Sequence, residues 1–168
     1  AESELTIASG ATSTTLLSVT VPSDASANAA SGSVMVHAHS EGGEGYEQYV
    51  SVSVTANQVY SIVAGYYSNE TGVEKDTASM LGGMAVQMKF TVTNDGNGND
   101  EITLSLANAP AWVTLGQTTA LAGPGQTLLI TINVAAPDSD ALGDHKFQVT
   151  ATSADGMTSS STEDLTVT

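Results

Sequence analysis

Residues 34–55 read VMVHAHSEGGEGYEQYVSVSVT, and residues 147–168 repeat the pattern as FQVTATSADGMTSSSTEDLTVT. The two stretches align without a gap at an offset of 113 residues, with six identical pairs. In both, apolar residues alternate with polar ones, which is the period of a half-buried β-strand. Each stretch therefore predicts a strand, a turn containing glycine and a second strand, and such a repeat indicates an array of modules.

The repeat extends upstream of both stretches. Gly10–Pro22 matches Gly125–Pro137 at an offset of 115 residues, and each segment ends at a proline, which cannot donate to a sheet. The alternation predicts a strand at Thr14–Val21 and a shorter one at Glu4–Ile7. Under this alignment the chain begins in the rear half of one module and continues into a second, complete one.

Residue content and strand count favour an all-β fold. Hydrophobic residues make up 40% of the chain, and Val and Thr recur in alternation. About seven strands are predicted after residue 57, the number in an immunoglobulin-like β-sandwich. We therefore predict immunoglobulin-like β-sandwich modules in tandem, with residues 57–168 as a complete module. Residues 1–56 are predicted as a partial module, present only as its rear half. The interruption at Ser68–Gly83 contains a stretch, Val73–Leu81, that suits a short helix.

The charge of the chain excludes several partners. The formal net charge is −15, and only Lys75, Lys89 and Lys146 are basic. A surface of this sign cannot neutralise phosphates, so we expect no nucleic acid, and an anionic membrane would repel it. No apolar run approaches the roughly 18 residues of a membrane-spanning helix, so we expect no membrane span in this segment. The chain has no cysteine, so disulfides contribute nothing to its stability.

Several short motifs carry a resemblance to a known family. They are FTVTNDG at 90–96, APAW at 109–112, GPGQ at 123–126, and the stretch from Val134 to Pro137 with Gly143. These motifs resemble the NPCBM-associated Ig-like domain, best known as an appendage of alpha-galactosidases, and also the CARDB-type repeats of prokaryotic surface proteins. The resemblance covers about Val59–Thr168, and its rear half covers Leu5–Thr55. It implies an extracellular spacer or adhesive module without catalytic residues.

One turn has the oxygen spacing of a calcium loop. Asp95, Asn97 and Asp100 lie close together in sequence within the Asn94–Asp100 turn. An EF-hand is excluded, because its sixth position requires Gly and its twelfth Glu, where this chain has Asp100 and Leu106. We name the three residues as calcium candidates of another type. The alternative, which we prefer, is a hydrated hairpin turn without a cofactor.

Two histidines suggest a second metal hypothesis. His37 and His39 are predicted to share one face of a strand, close to Glu41, and that combination would suit zinc. Their equivalents in the second copy of the repeat are Thr150 and Thr152. We therefore prefer the interpretation that this is the ordinary polar face of a strand.

Glycan contacts are considered at two places. Asn69 begins the glycosylation sequon Asn-Glu-Thr in the predicted surface insertion, where a chance match is as good an explanation as use. Five tyrosines lie near the module boundary: Tyr46, Tyr49, Tyr60, Tyr66 and Tyr67. They suit either a sugar-binding platform or the packing of an inter-module joint, and we prefer the joint.

Catalytic machinery is not predicted. His145 is the one histidine in the complete module, and no Gly-x-Ser-x-Gly elbow accompanies it. Lys89 alternates outward from its apolar neighbours, which rules out a buried lysine for a covalent Lys–Asn crosslink. Trp112 follows a proline at a strand end and is predicted to pack on the core. We therefore predict that the chain is not an enzyme.

The function that fits these features best is an extracellular structural or adhesive repeat unit of a bacterial or archaeal cell-surface assembly, such as a fibre, surface layer or adhesin stalk. The expected partners are neighbouring repeats or other copies of the same protein. The alternative is an accessory module of a secreted glycoside hydrolase or protease, acting as a spacer or binding a carbohydrate.

The partial module is expected to leave an apolar face open. Its members are Leu17, Val19, Val34, Val36, Val52 and Val54. Either preceding residues of the same polypeptide cover this face, or a neighbouring subunit donates strands to it. A second apolar patch, at Met80, Leu81 and Met84, is a candidate for a further contact.

Overall fold

The computed structural model describes residues 4–42, 45–67, 76–79, 81–137, 143–162 and 164–168. Within these ranges the chain forms twelve β-strands and no helix. The strands are β1 Gly32–His39, β2 Glu47–Val54, β3 Ile62–Tyr66, β4 Thr77–Ala78, β5 Ala85–Asn94, β6 Asp100–Ala107, β7 Val113–Leu115, β8 Thr119–Ala122, β9 Thr127–Ala135, β10 His145–Thr152, β11 Ser159–Ser161 and β12 Leu165–Val167. The prediction of an all-β fold is confirmed.

Strands β3 to β12 form an immunoglobulin-like sandwich of two sheets. One sheet has the order β4-β12-β10-β6-β8, with β11 also paired to β10, and the other has the order β3-β5-β9-β7. Among the described strands, every pair in these sheets is antiparallel except β4 with β12. The alternation in the sequence accounts for the two layers. In β5, for example, Met88, Phe90 and Val92 are buried, whereas Lys89 between them is exposed.

The core lies between the two sheets. Phe90 from one sheet and Phe147 from the other are its largest fully buried side chains. Ile, Leu and Val residues from seven strands surround them, while Trp112 packs on the core from one end of the sandwich. The predicted packing role of Trp112 is therefore confirmed. Burying each large apolar side chain is worth about 1.5–3 kcal/mol, so this cluster is the main source of stability in the sandwich.

The first copy of the repeat forms a separate hairpin. Strands β1 and β2 pair only with each other among the described strands. Their register is that of β10 and β12, because the pair Val34 and Val52 matches the pair Phe147 and Leu165 at the offset of 113 residues. The local sequence therefore sets the same strand pairing twice, with and without a sandwich around it.

The hairpin differs from its counterpart in burial. Val36 is 36% exposed, whereas its equivalent Val149 is 0% exposed, and Val52 is 40% exposed where Leu165 is fully buried. In the sandwich, β10 is flanked by β6 on the side that β1 leaves open. The apolar face of β1 and β2 is thus more open than its counterpart in the described part of the chain, as the repeat predicts.

The predicted strand at Thr14–Val21 is wrong, and so is the shorter one at Glu4–Ile7. Both segments lack strand pairing, and nearly all of their residues are exposed. The equivalent of Thr14–Val21 is β9, which is held on one side by β5 and on the other by β7. A strand needs a hydrogen-bonded neighbour, so the same alternation gives a strand only where a neighbour exists.

The insertion between β3 and β5 does not contain the suggested helix where the structure describes it. Thr77 and Ala78 form β4, which pairs in parallel with Thr166 and Val167 at the edge of one sheet. Much of the stretch 73–81, including Met80, lies outside the described residues. Among the described residues no helix is long and apolar enough to cross a membrane.

Candidate functional site

The turn that joins β5 to β6 is built around one buried amide. Asn94 is 1% exposed, and its Nδ2 donates to the carbonyl oxygens of Gly98 and Ala122, each at 2.9 Å. Its Oδ1 accepts the backbone amide of Gly96 at 2.9 Å. A side chain that closes a turn in this way is common for Asn, which readily bonds to its own backbone two residues further on. The turn is therefore held in one conformation.

The linker between hairpin and sandwich runs directly over this turn. The amide of Asp95 donates to the carbonyl of Ser61 at 2.8 Å, and Asn97 donates to the carbonyl of Val59 at 3.2 Å. A Cβ built on Gly96 would collide with the Val59 carbonyl oxygen, so only glycine allows this approach. The turn thus serves as the surface on which residues 57–61 lie.

Asn97 forms the centre of the junction. Its Oδ1 accepts the amide of Val59 at 2.7 Å, and its Nδ2 donates to the carbonyls of Ala25 and Asn57, each at 3.0 Å. Its own carbonyl accepts the amide of Ala27 at 2.9 Å. Asn97 therefore binds two separate segments of chain to the sandwich, and its side chain is fully used in doing so.

A second asparagine pair strengthens the same junction. Asn28 donates through Nδ2 to Oδ1 of Asn99 at 3.0 Å, while its Oδ1 accepts the amide of Asn99 at 3.3 Å. Gln58 donates through Nε2 to the carbonyl of Asn99 at 2.7 Å. Neutral amides, rather than charged groups, thus hold the N-terminal segment against the sandwich.

The calcium candidates are not assembled as three free ligands. Asp95 is exposed on the turn, whereas the only oxygen of the Asn97 side chain already accepts a hydrogen bond. Asp100 is 1% exposed, and its Oδ1 accepts the amide of Ala154 at 2.9 Å, on the turn after β10. Its Oδ2 has no hydrogen-bond partner. The preferred interpretation, a hydrated turn without a cofactor, stays a prediction.

The polar face of the hairpin carries a stacked aromatic row. The rings of His37 and Tyr49 lie 4.4 Å apart at an angle of 4°, and those of His37 and His39 lie 5.7 Å apart. The Tyr49 hydroxyl donates to Oε2 of Glu47 at 2.9 Å, which raises the pKa of Tyr49, with a smaller contribution from desolvation. His37 Nε2 lies 3.8 Å from the same carboxylate oxygen. Among the described residues, no group of three His, Asp or Glu is placed to hold a metal.

The five tyrosines do not pack the junction together, so that interpretation is wrong. Tyr46 is 78% exposed and Tyr49 lies on the open hairpin. Tyr66 packs against the sandwich core, and the Tyr67 ring lies 5.8 Å from the Lys89 ammonium nitrogen. The junction that the structure shows is built from asparagines instead. Its signal in the sequence is the abundance of asparagine around residues 25–28, 57 and 94–99. A search for the spacing of metal ligands or for clustered aromatic residues does not detect that signal.

The remaining predicted site residues are accounted for as follows. His145 packs edge-on against Trp112, with ring centroids 5.1 Å apart at an angle of 84°. Its Nε2 is buried without a hydrogen-bond partner. The glycosylation candidate Asn69 lies outside the described residues. Leu81 and Met84 are exposed, as a contact patch would require.

Apolar grooves open at two places in the described part of the chain. One, of about 420 Å³, lies beside β4 and β5 and is lined by Tyr67, Ala78, Val86 and Met88 among others. The other, of about 430 Å³, lies under the N-terminal segment, and its lining includes Val19, Val21, Pro22, Val34 and Val54. The second groove lies on the apolar face of the hairpin.

No family model matches the chain. No curated protein matches it either, so neither the NPCBM-associated family nor the CARDB-type repeats are shown. Among solved structures, the chain is similar to the PapD-like domain 7 of human CEP192, with a TM-score of 0.41 and 11% identity over 56% of this chain and 79% of that one. The likeness concerns the general two-sheet architecture alone.

Two larger proteins contain regions of similar shape. A family 123 glycoside hydrolase from Clostridium perfringens matches with a TM-score of 0.44 and 13% identity, over 66% of this chain and 27% of that one. The alpha-2-macroglobulin of E. coli matches with a TM-score of 0.41 and 15% identity, over 82% of this chain and 8% of that one. The chain thus corresponds to about a quarter of the hydrolase and less than a tenth of the macroglobulin.

Proposed function

We propose that the chain is an extracellular structural or adhesive repeat unit of a prokaryotic cell-surface assembly, such as a fibre, surface layer or adhesin stalk. The observation that carries the proposal is the open apolar face of the hairpin, next to a sandwich with a closed core. A large exposed apolar surface on a folded protein marks a place where another surface docks. The partners are neighbouring modules or other copies of the same protein.

The asparagine junction supports a role for the chain as a spacer or as a unit that transmits force along an assembly. At least six hydrogen bonds join residues 25–28 and 57–59 to the turn at 97–99. Each contributes about 0.5–1.5 kcal/mol, and their directions differ, so together they fix the hairpin segment at one angle. Fixed angles between successive units are what a stalk or a lattice requires.

The charge supports an extracellular setting of high ionic strength. A formal charge of −15 keeps separate copies apart in dilute salt, and this repulsion weakens as the Debye length falls from about 10 Å at 0.1 M to about 3 Å at 1 M. Assembly outside a cell would therefore respond to the salt of the medium.

Location and assembly have separate tests. Antibodies against the sandwich should label intact cells, and added protease should remove the label without lysis. Sedimentation of the purified chain should show species heavier than the 17.0 kDa of one copy, increasing with salt and concentration. Labelling only after lysis would overturn the surface role, and a lone monomer under all conditions would overturn self-association.

A second function is an accessory module, either a spacer or a carbohydrate binder, of a secreted glycoside hydrolase or protease. The exposed Tyr46, with the stacked row of His37, His39 and Tyr49 on the same hairpin, favours the carbohydrate form, because an aromatic face left open to solvent packs well against a sugar ring. Glycan screening with the intact chain tests it. Binding should be lost in Tyr49→Ala and retained in Tyr60→Ala, and equal loss in both variants would argue against a site on the hairpin.

A further inference from the structure

The complete sandwich consists of two halves that meet in the same way in both sheets. The front half supplies β5 to one sheet and β6 to the other, and the rear half supplies β9 and β10. Strand β5 is antiparallel to β9, from Ala85 with Ala135 to Thr93 with Thr127. Strand β6 is antiparallel to β10, from Ala107 with Gln148 to Thr103 with Thr152. An approximate twofold relation therefore links the front half to the rear half.

The N-terminal part of the chain is a second rear half. Strand β1 is the equivalent of β10, and residues 12–20 are the equivalent of β9. The N-terminal part also keeps the two-layer arrangement of the sandwich. Val19 and Val34 line one groove, and their equivalents Val134 and Phe147 belong to one core. Among the described residues, the N-terminal part thus presents one unpaired strand edge and one segment without strand pairing, on the sides where the sandwich has β6 and β5.

A second copy offers the matching groups in the required orientation. A twofold axis turns a strand into its antiparallel neighbour, which is the relation that joins both pairs of strands in the sandwich. The N-terminal rear half of one copy can therefore take the position that a front half would occupy beside the N-terminal rear half of the second copy. No strand has to leave the closed sandwich for this, because the outer edge of β1 and residues 12–20 have no strand partner among the described residues.

The charge distribution favours the same contact. The chain carries −15, yet neither Thr14–Val21 nor Val34–His39 contains an acidic residue. The side chains on this surface are apolar and exposed, among them Leu17, Val19 and Val36. Two copies can meet here without bringing carboxylates together, and an apolar surface is buried rather than a charged one.

We propose that two copies of this chain complete one shared sandwich about a twofold axis. Strand β1 pairs antiparallel with β1 of the second copy, and residues 12–20 pair likewise in the opposing layer. The register follows from the sandwich, where Thr150 is the central residue of the β6–β10 pairing, so His37 lies on the axis in the shared sheet. This inference rests on the self-association included in the proposed function and specifies its geometry.

A cysteine scan tests the geometry, because the natural chain has no cysteine. Residues opposite each other in an antiparallel pair have Cα atoms about 4.5–5.5 Å apart, which is within reach of a disulfide. Under mild oxidation, His37→Cys should form a covalent dimer. Ser51→Cys is the control, since Ser51 is also exposed but lies on β2, away from the axis. An equal yield of covalent dimer from both variants, or none from His37→Cys, would overturn the proposal.

A charge substitution tests the buried face without cysteines. Val36→Lys places an ammonium group in the shared core, and Leu129→Lys places one on the outer face of β9 at similar exposure. Val36→Lys should raise the dissociation constant of the dimer at least about tenfold, and Leu129→Lys should change it less than about twofold. Circular dichroism confirms that both variants are folded. Unchanged association in Val36→Lys would place the contact elsewhere.

The outcomes separate this inference from the broader function. Sedimentation should give a closed species of twice the mass of one chain, the size that a twofold contact through one edge produces. A ladder of larger species with no cross-link at His37 would support surface assembly by head-to-tail strand donation and overturn the twofold contact. A dimer that forms in a protein confined to the cell interior would keep the contact and overturn the surface role.

Discussion

Asn97 and Val59 exchange two hydrogen bonds across the junction. The Asn97 side-chain oxygen accepts the Val59 amide at 2.7 Å, and the Asn97 amide donates to the Val59 carbonyl at 3.2 Å. The side chain thus satisfies the backbone of a linker residue that belongs to no strand. Because such a residue has no sheet partner, the whole orientation of the linker depends on this one asparagine and its neighbours.

Replacing Asn97 with alanine should loosen the junction. The substitution removes three side-chain hydrogen bonds, and because water can replace the two exposed ones, the expected cost is about 1 kcal/mol in unfolding free energy. Hydrogen exchange should quicken at residues 57–59 more than in β5. Asn133→Ala, which removes a single exposed side-chain bond, is the control. Equal exchange in the two variants would show that the linker is held by other contacts.

Equivalent valines in the two copies of the repeat should respond differently to truncation. Val149→Ala removes two methyl groups from a fully buried site and should reduce the unfolding free energy by about 2 kcal/mol. Val36→Ala makes the same chemical change at a half-exposed site and should cost less than about 0.5 kcal/mol in the monomer. Denaturant titration at low protein concentration measures both. A large loss in Val36→Ala would mean that the hairpin face is covered.

Salt should stabilise the folded chain. The self-repulsion of −15 charges on one body is weakened as added ions shorten the Debye length. The thermal midpoint should rise between low salt and about 1 M sodium chloride. Sucrose is the control, because it stabilises folded proteins by exclusion from their surface but carries no charge and so cannot screen the repulsion. A midpoint that stays flat or falls in sodium chloride would contradict the prediction.

Asp155 should make a pH-dependent contribution to stability. Its carboxylate accepts the backbone amide and the hydroxyl of Thr158 and the amide of Met157, and these bonds lower its pKa below the ordinary value of 3.8. The contribution is therefore present above pH 3.8 and is lost as the pH falls through the lower pKa of the folded state. In Asp155→Asn this component of the acid dependence should disappear.

The measurement for Asp155 is the thermal midpoint from neutral pH to about pH 2, compared between the natural chain and the variant. Asp95→Asn, an exposed carboxylate in another turn, serves as the control. Parallel acid curves for the natural chain and Asp155→Asn would show that the turn after β10 does not depend on the charge of Asp155.

Calcium should have little effect on this chain, since Asp100 is buried with one carboxylate oxygen bonded to the Ala154 amide and the Asn97 oxygen already accepts the Val59 amide. We expect the same thermal midpoint with calcium as with magnesium at equal ionic strength. A rise specific to calcium that disappears in the double variant Asp95→Ala, Asp100→Ala would establish the site at this turn. A rise that survives the double variant would place a calcium site elsewhere.

Sequence patterns were sufficient for the strands that have neighbours. The alternation in Ala85–Asn94 gave the inward and outward faces of β5, and the internal repeat gave the matching hairpins, since both depend on local chemistry. Thr14–Val21 shows the limit, because alternation measures only whether a segment suits a sheet, and a strand also needs a partner beside it. Asn97 shows a second limit of sequence patterns, because the spacing of residues cannot reveal whether a side-chain oxygen faces solvent or a backbone amide.

Thr162 marks the place where the two hairpins diverge. Thr150 lies opposite Ser161, although the register of β10 with β12 would place Thr162 there, so one extra residue is inserted as a bulge. The Thr162 hydroxyl accepts the Val149 amide at 3.1 Å, and Ser160 beyond the bulge accepts the amide of Ala64 in the other sheet at 3.0 Å.

The equivalent residue in the first hairpin is Tyr49, which pairs with His37 in regular register. Strand β2 therefore pairs in regular register over eight residues, and no bulge interrupts it in the described part of the chain. The two hairpins differ as a result in the edges they leave exposed. The β10 hairpin is irregular at its bulge, whereas the first hairpin keeps the β2 edge unpaired among the described strands even after β1 is paired, so in a closed dimer β2 is the edge still exposed to aggregation.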